Sequence, residues 1–210
     1  MSIVPLDLIL LSAAWVLALL ARPWRLLERG GPLRPLTPFL GCVVLLPWVW
    51  IVPRIHALPV PAQLSGACLV ALMLGWPLAV LTLTVVAGTS LLLVAGPWPE
   101  VLAQLVWQGI VPATIALGAG VAVRRWIGEG PFLYVLGRSF FGTAVAVFVG
   151  NAIHALIEPG ADHAGAIPAH VVYWLMAWGE ATLTGMIVVV FVAFRPQWLA
   201  TWSDRLYLRG

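Results

Sequence analysis

Lysine is absent from this 210-residue chain, and acidic and basic residues together make up only 9% of it. The formal net charge of +3 therefore comes from arginine. The arginines sit at the ends of apolar runs, where they report topology rather than nucleic-acid binding. The two cysteines, Cys42 and Cys68, are too few and too far apart for a disulfide framework or a zinc knuckle. They read as small apolar packing residues. There is no Walker A loop, so the chain does not itself hydrolyse ATP. HExxH, GxSxG and CxxCH are missing, and no nucleophile–base constellation takes their place, so an enzyme is not expected. The N-terminal apolar stretch has no cationic region before it and no clear A-x-A site. It reads as a retained first helix rather than a removed signal peptide.

What remains is 62% apolar. Several apolar runs of about 18 residues or more predict an all-α, polytopic membrane protein. The loops are too short to fold alone, so residues 1–210 form a single transmembrane domain. Seven helices are expected, over about 3–21, 39–52, 63–75, 77–95, 101–123, 132–157 and 169–194, with a tail over 195–210. Pro47 is expected to kink the second helix, with Trp48 and Trp50 in an aromatic belt. Gly75-Trp76-Pro77 separates the third helix from the fourth. Trp198 and Trp202, four apart, suggest an interfacial helix in the tail.

The densest positive loop carries Arg22, Arg25, Arg29 and Arg34. With Arg124, Arg125 and Arg195 it fixes an expected orientation, N-terminus outside and C-terminus cytoplasmic, because arginine favours cytoplasmic loops. Arg54 alone is clearly outside. A bacterial inner membrane is the expected location. Ala14 and Ala18 form a small-xxx-small step that offers a weak docking surface for a partner helix.

The last apolar run, Ala169 to Phe194, contains two ionisable residues, His170 and Glu180. Glu180 falls near the bilayer midplane, where a carboxylate costs several kcal/mol unless it is neutralised, paired or facing a polar cavity. It must therefore look inward, towards Asn151, a backbone carbonyl or a substrate. Gly179, Ala181, Thr182 and Thr184 beside it let a neighbour come close.

His56, His154, His163 and His170 all fall on the outer side of this topology, as do Asp7, Glu100, Glu158 and Asp162. Gln63, Gln104, Gln108 and Asn151 occupy outer halves of helices, with the Gln104 and Gln108 pair reading as interhelical glue. Imidazole and carboxylate are the usual ligands of divalent transition metals. The expected arrangement is an outer mouth where His56, His163, Asp162 and Glu158 recruit a cation. A pocket of His154, His170, Asp7, Gln63 and Asn151 lies beneath it, with Glu180 at the floor. A bound divalent transition metal is the ligand such a set implies.

Three stretches carry a resemblance: LSGACLVALMLGWPLAVLTLT (64–84), GPFLYVLGRSFFGTAVAV (130–147) and WGEATLTGMIVVVFVAFRPQWLATWSDRLYL (178–208). They resemble the membrane permeases of energy-coupling-factor transporters, in particular the cobalt/nickel substrate-capture permeases. The resemblance implies a substrate-binding membrane subunit working with a second membrane coupling subunit and cytoplasmic ATPases. The metal-binding members begin Met-His and carry a further histidine before the third helix; here those positions hold Ser2 and Gln63. Either the metal site is rebuilt from residues such as His154, His170 and Asp7, or the substrate is not cobalt or nickel. The alternative is a non-transporting metallochaperone or assembly factor for a metalloenzyme.

Overall fold

A computed structural model describes residues 4–23, 36–56, 63–157, 169–203 and 207. Among these, secondary structure is entirely helical. Seven helices follow in order: α1 Val4–Leu20, α2 Leu36–His56, α3 Ala67–Leu74, α4 Trp76–Leu93, α5 Trp98–Trp126, α6 Leu133–Ile157 and α7 Ala169–Phe194. A single 3-10 turn, Pro196–Trp198, follows α7. The helices α4 to α7 are long and apolar enough to cross a membrane, whereas the apolar stretches Val4–Leu20 and Leu36–Val52 are shorter. The chain is accordingly an all-helical membrane protein.

Helix α7 shows how the bundle is built. On α7, Ala177, Glu180, Ala181, Thr184 and Val188 are buried, while Leu175, Leu183, Met186 and Val190 are exposed. This is the three-and-four spacing of one helical face. The exposed side is as apolar as the buried one, as expected where the outer solvent is lipid. Small residues bring α7 close to its neighbours, but not all those expected to. A Cβ on Gly185 would meet the Phe140 ring of α6 at 3.3 Å, while a Cβ on Gly179 would meet nothing within 4 Å. Thr182 is exposed and bonds back to the Trp178 carbonyl. Tight packing thus rests on Ala181, Thr184 and Gly185.

Two of the spanning helices contain wide, π-type turns, over Gln104–Ile110 in α5 and Leu133–Phe141 in α6. Such turns aim extra side chains inward and recur at functional sites. In α5 the wide turn ends just before Pro112, which has no N–H to give the carbonyl four residues back, that of Gln108.

Several expectations need correction. The helix expected over 63–75 is only Ala67–Leu74, because residues 63–66 run outside any helix and Gly66 adopts φ 67°, ψ 0°. The second helix is longer than 39–52 and passes through Pro47 and Pro53, which membrane helices tolerate where neighbours re-satisfy the backbone. Trp48 is exposed, but Trp50 is fully buried and belongs to the core rather than to an aromatic belt. Ala14 and Ala18 are buried where α1 packs on α4, so this step serves the chain's own packing rather than docking. The described part of the tail forms no interfacial helix: Trp198 packs on Phe191 and Trp202 on Tyr134 and Tyr207. Arg22 follows α1, Arg124 and Arg125 end α5, and Arg195 follows α7; Arg25, Arg29 and Arg34 lie outside the described residues.

Candidate functional site

Glu180 is buried, 3% exposed, and its partners are backbone amides. The Ser65 N–H donates to Oε2 at 2.9 Å and the Gly66 N–H to Oε1 at 3.0 Å. These amides lie at the start of α3, where N–H groups have no partner within the helix and the helix dipole favours negative charge. The carboxylate therefore acts as a cap supplied from another helix. The neighbour expected for it, Asn151, does not fill this role.

Ser65 is a junction. Its hydroxyl donates to the Gln108 carbonyl, the one Pro112 leaves without a helical donor, and accepts from the Ala67 N–H at 3.1 Å. Its own carbonyl accepts from Trp50 Nε1 at 2.9 Å. The Ser65 and Gly66 amides are thus satisfied by α7 and the Ser65 carbonyl by α2, while the Ser65 hydroxyl satisfies α5 in return, the kind of pairing under which non-helical chain survives at membrane depth.

Beside this junction lies a half-open cavity of about 380 Å³. It is lined by Gln63, Glu100, Ala103, Gln104, Trp107, Gln108 and His154. The wide turn of α5 contributes Gln104, Trp107 and Gln108. Gln104 Nε2 reaches the Trp50 carbonyl at 3.4 Å. Gln108 Oε1 is buried and has no hydrogen-bond partner among the described residues. Trp107 is buried, donates from Nε1 to Asp7 Oδ1 at 2.8 Å, and stacks on His154 with ring centroids 5.0 Å apart and 22° between planes. A row therefore runs from buried Asp7 through the indole to an imidazole at the cavity wall.

The structure brings some of the expected residues together and separates others. Gln63 and His154 line the cavity, and Gln104 and Gln108, expected as interhelical glue, line it too. Asp7 stands one residue behind the wall. Asn151 is half-buried on α6 and His170 is exposed on the first turn of α7; neither is among the lining residues. Glu180, expected at the floor, is not among the lining residues; its carboxylate is taken up by the Ser65 and Gly66 amides. The recruitment residues Glu158, Asp162 and His163 lie outside the described residues, as does the side chain of His56. Among the described residues no three His, Cys, Asp or Glu side chains gather at metal-ligand spacing. Sequence reasoning missed Trp107; its signal was the position between Gln104 and Gln108 on the same stretch of helix.

No family model matches the chain, and no curated protein or solved structure matches it either.

Proposed function

We propose that this chain is the substrate-capture membrane subunit of an energy-coupling-factor-type transporter, with a transition-metal cation as its first-choice substrate. In this reading it is a seven-span bundle in a bacterial inner membrane, N-terminus outside and C-terminus cytoplasmic. A second membrane subunit and cytoplasmic ATPases supply the energy. The observation that carries the reading is the polar cavity of Gln63, Glu100, Gln104, Gln108 and His154, set at the end of α5 opposite Arg124 and Arg125. His154 nitrogen, Glu100 carboxylate and amide oxygens are the donors this cavity has for a cation.

One observation favours a second substrate class. A cavity of about 380 Å³ with three amide side chains is the size of a small-molecule pocket rather than of an ion cage. Amide side chains both donate and accept, which suits a polar organic solute.

Metal content and affinity of the detergent-purified protein separate the readings, measured for wild type beside His154→Ala and Glu100→Gln. Stoichiometric binding of cobalt, nickel, copper, zinc or iron that weakens in both variants supports the cation. Folded wild type that binds none of the five excludes it and leaves the organic solute. Metal binding by a protein that supports no uptake alongside a coupling subunit and ATPases favours the metallochaperone.

A further inference from the structure

The eight residues of α3 are gripped at both ends by one neighbour. At the start, Glu180 of α7 accepts the Ser65 and Gly66 amides. At the finish, the segment following α7 takes over. The Ala200 N–H donates to the Met73 carbonyl at 2.9 Å, and the Thr201 N–H to the Leu72 carbonyl at 3.3 Å. Thr201 Oγ1 also donates to the Leu72 carbonyl, at 2.9 Å. Met73 needs this outside donor, because the residue four positions on is Pro77, which has no N–H.

The segment that supplies these donors is itself fastened. Thr201 Oγ1 already donates to Leu72, so the Tyr134 hydroxyl donates to it, at 2.7 Å. The Tyr134 ring meets Trp202 and Tyr207 edge-on at 4.9 and 5.0 Å. Leu199 and Tyr207 are buried. Residues 196–203 thus form a strap across the finish of α3.

A helix of eight residues is too short to hold its shape alone. Its place depends on its two caps and on packing, since Ala67, Cys68 and Val70 to Leu74 are all buried. It spans only about 12 Å, at roughly 1.5 Å per residue. At the Glu180 end, the chain entering α3 carries Gln63 in the cavity wall, and Ser65 is bonded to Gln108 of the same wall.

We infer that α3 is a mechanical link by which docking of the 196–203 strap and the shape of the Gln63 cavity bias each other. The inference takes the cavity as the binding site proposed above. When the strap lifts, Leu72 and Met73 lose their donors, α3 is left on the Glu180 cap, and the 63–66 peptide moves with it. Because coupling between two sites is reciprocal, filling the cavity holds the strap down, and a partner that engages the strap resets the cavity.

The test needs no substrate, so its outcome is independent of whether the cavity binds a metal. In the full chain with Cys42→Ser and Cys68→Ala, a Gln63→Cys reporter is labelled with a water-soluble methanethiosulfonate reagent. Labelling is compared with and without Ala200→Pro plus Thr201→Val, which removes the Ala200 amide and the Thr201 hydroxyl from the strap. Chymotrypsin cleavage at Trp198 and Trp202 reads the strap itself, and size-exclusion chromatography establishes that each protein is folded. The expected result is faster cleavage together with a change in the Gln63→Cys labelling rate of about fivefold or more. A Ser12→Ala control on α1 leaves both rates unchanged. An unaltered labelling rate in the folded strap variant, with or without faster cleavage, overturns the inference.

Discussion

The Ser65 backbone N–H donates to Glu180 Oε2 at 2.9 Å across 115 positions of sequence, and the Gly66 N–H completes the pair on Oε1. Both oxygens serve as acceptors. In Glu180→Gln one of them becomes an NH2 group that faces an N–H donor, so one bond is lost and two donors oppose each other. In Glu180→Leu both amides are stranded. The expected losses of stability are about 1–3 kcal/mol for the amide variant and about 3 kcal/mol or more for leucine. Thermal unfolding in detergent checks the order; a leucine variant as stable as wild type would rule out the capping role.

The two glycines near this contact should behave in opposite ways. Gly66 has φ 67°, a left-handed conformation, and a Cβ there would meet Leu46 only at an ordinary 3.5 Å. Gly66→Ala is therefore expected to cost roughly 1–2 kcal/mol through the backbone alone. Gly179→Ala sits in open space inside α7 and is expected to stabilise by about 0.5–1 kcal/mol. Parallel melting curves of the two variants decide this.

Much of the architecture is legible in the sequence. The bounds expected for α7 are those observed, since 26 residues of apolar run ending at Arg195-Pro196 leave little freedom. Gly75-Trp76-Pro77 does divide α3 from α4. Gln63 and His154, expected in a pocket, both line one. The break before α3 is not legible, because nothing in Gln63-Leu64-Ser65-Gly66 forbids a helix. What holds these residues out of one is a carboxylate from α7 and a proline-freed carbonyl from α5, and neither leaves a mark within the local pattern. For the same reason the sequence shows that Glu180 needs an inward partner but not that the partner is the 65–66 backbone.

Pro112 and Ser65 are expected to be energetically coupled. Ser65→Ala strands the Gln108 carbonyl in a helix whose Pro112 offers it no donor. In a Pro112→Ala background, the backbone N–H gained at position 112 supplies one. The double-mutant cycle should thus show a smaller cost for Ser65→Ala in that background, with a coupling of about 0.5–1.5 kcal/mol. Equal costs in both backgrounds would show that the hydroxyl stabilises only the Ala67 amide.

Trp107 joins a buried carboxylate to the cavity. Trp107→Phe keeps an aromatic ring against His154 but removes the indole N–H from Asp7 Oδ1. The expected cost is about 1.5–3 kcal/mol, the range for a bond to a charged group. Adding Asp7→Asn to the Phe variant should recover part of it, because a neutral side chain is less costly to bury. Chemical denaturation of the single and double variants measures the recovery; a further loss on adding Asp7→Asn counts against the indole as the main partner of Asp7.

The double grip on α3 also bears on the order in which the protein is made. Thr201 lies 129 positions after Leu72, whose carbonyl it bonds. At roughly 5–20 residues per second, about 6–26 s of translation separate the emergence of α3 from that of its fastening. During that interval Met73 faces Pro77 with no donor and the Ser65 and Gly66 amides have no carboxylate. The first half of the bundle is thus made with a helix that cannot settle, and α7 with its strap, made later, locks it. A nascent chain halted before Glu180 should therefore expose the Cys68 thiol that the finished protein buries.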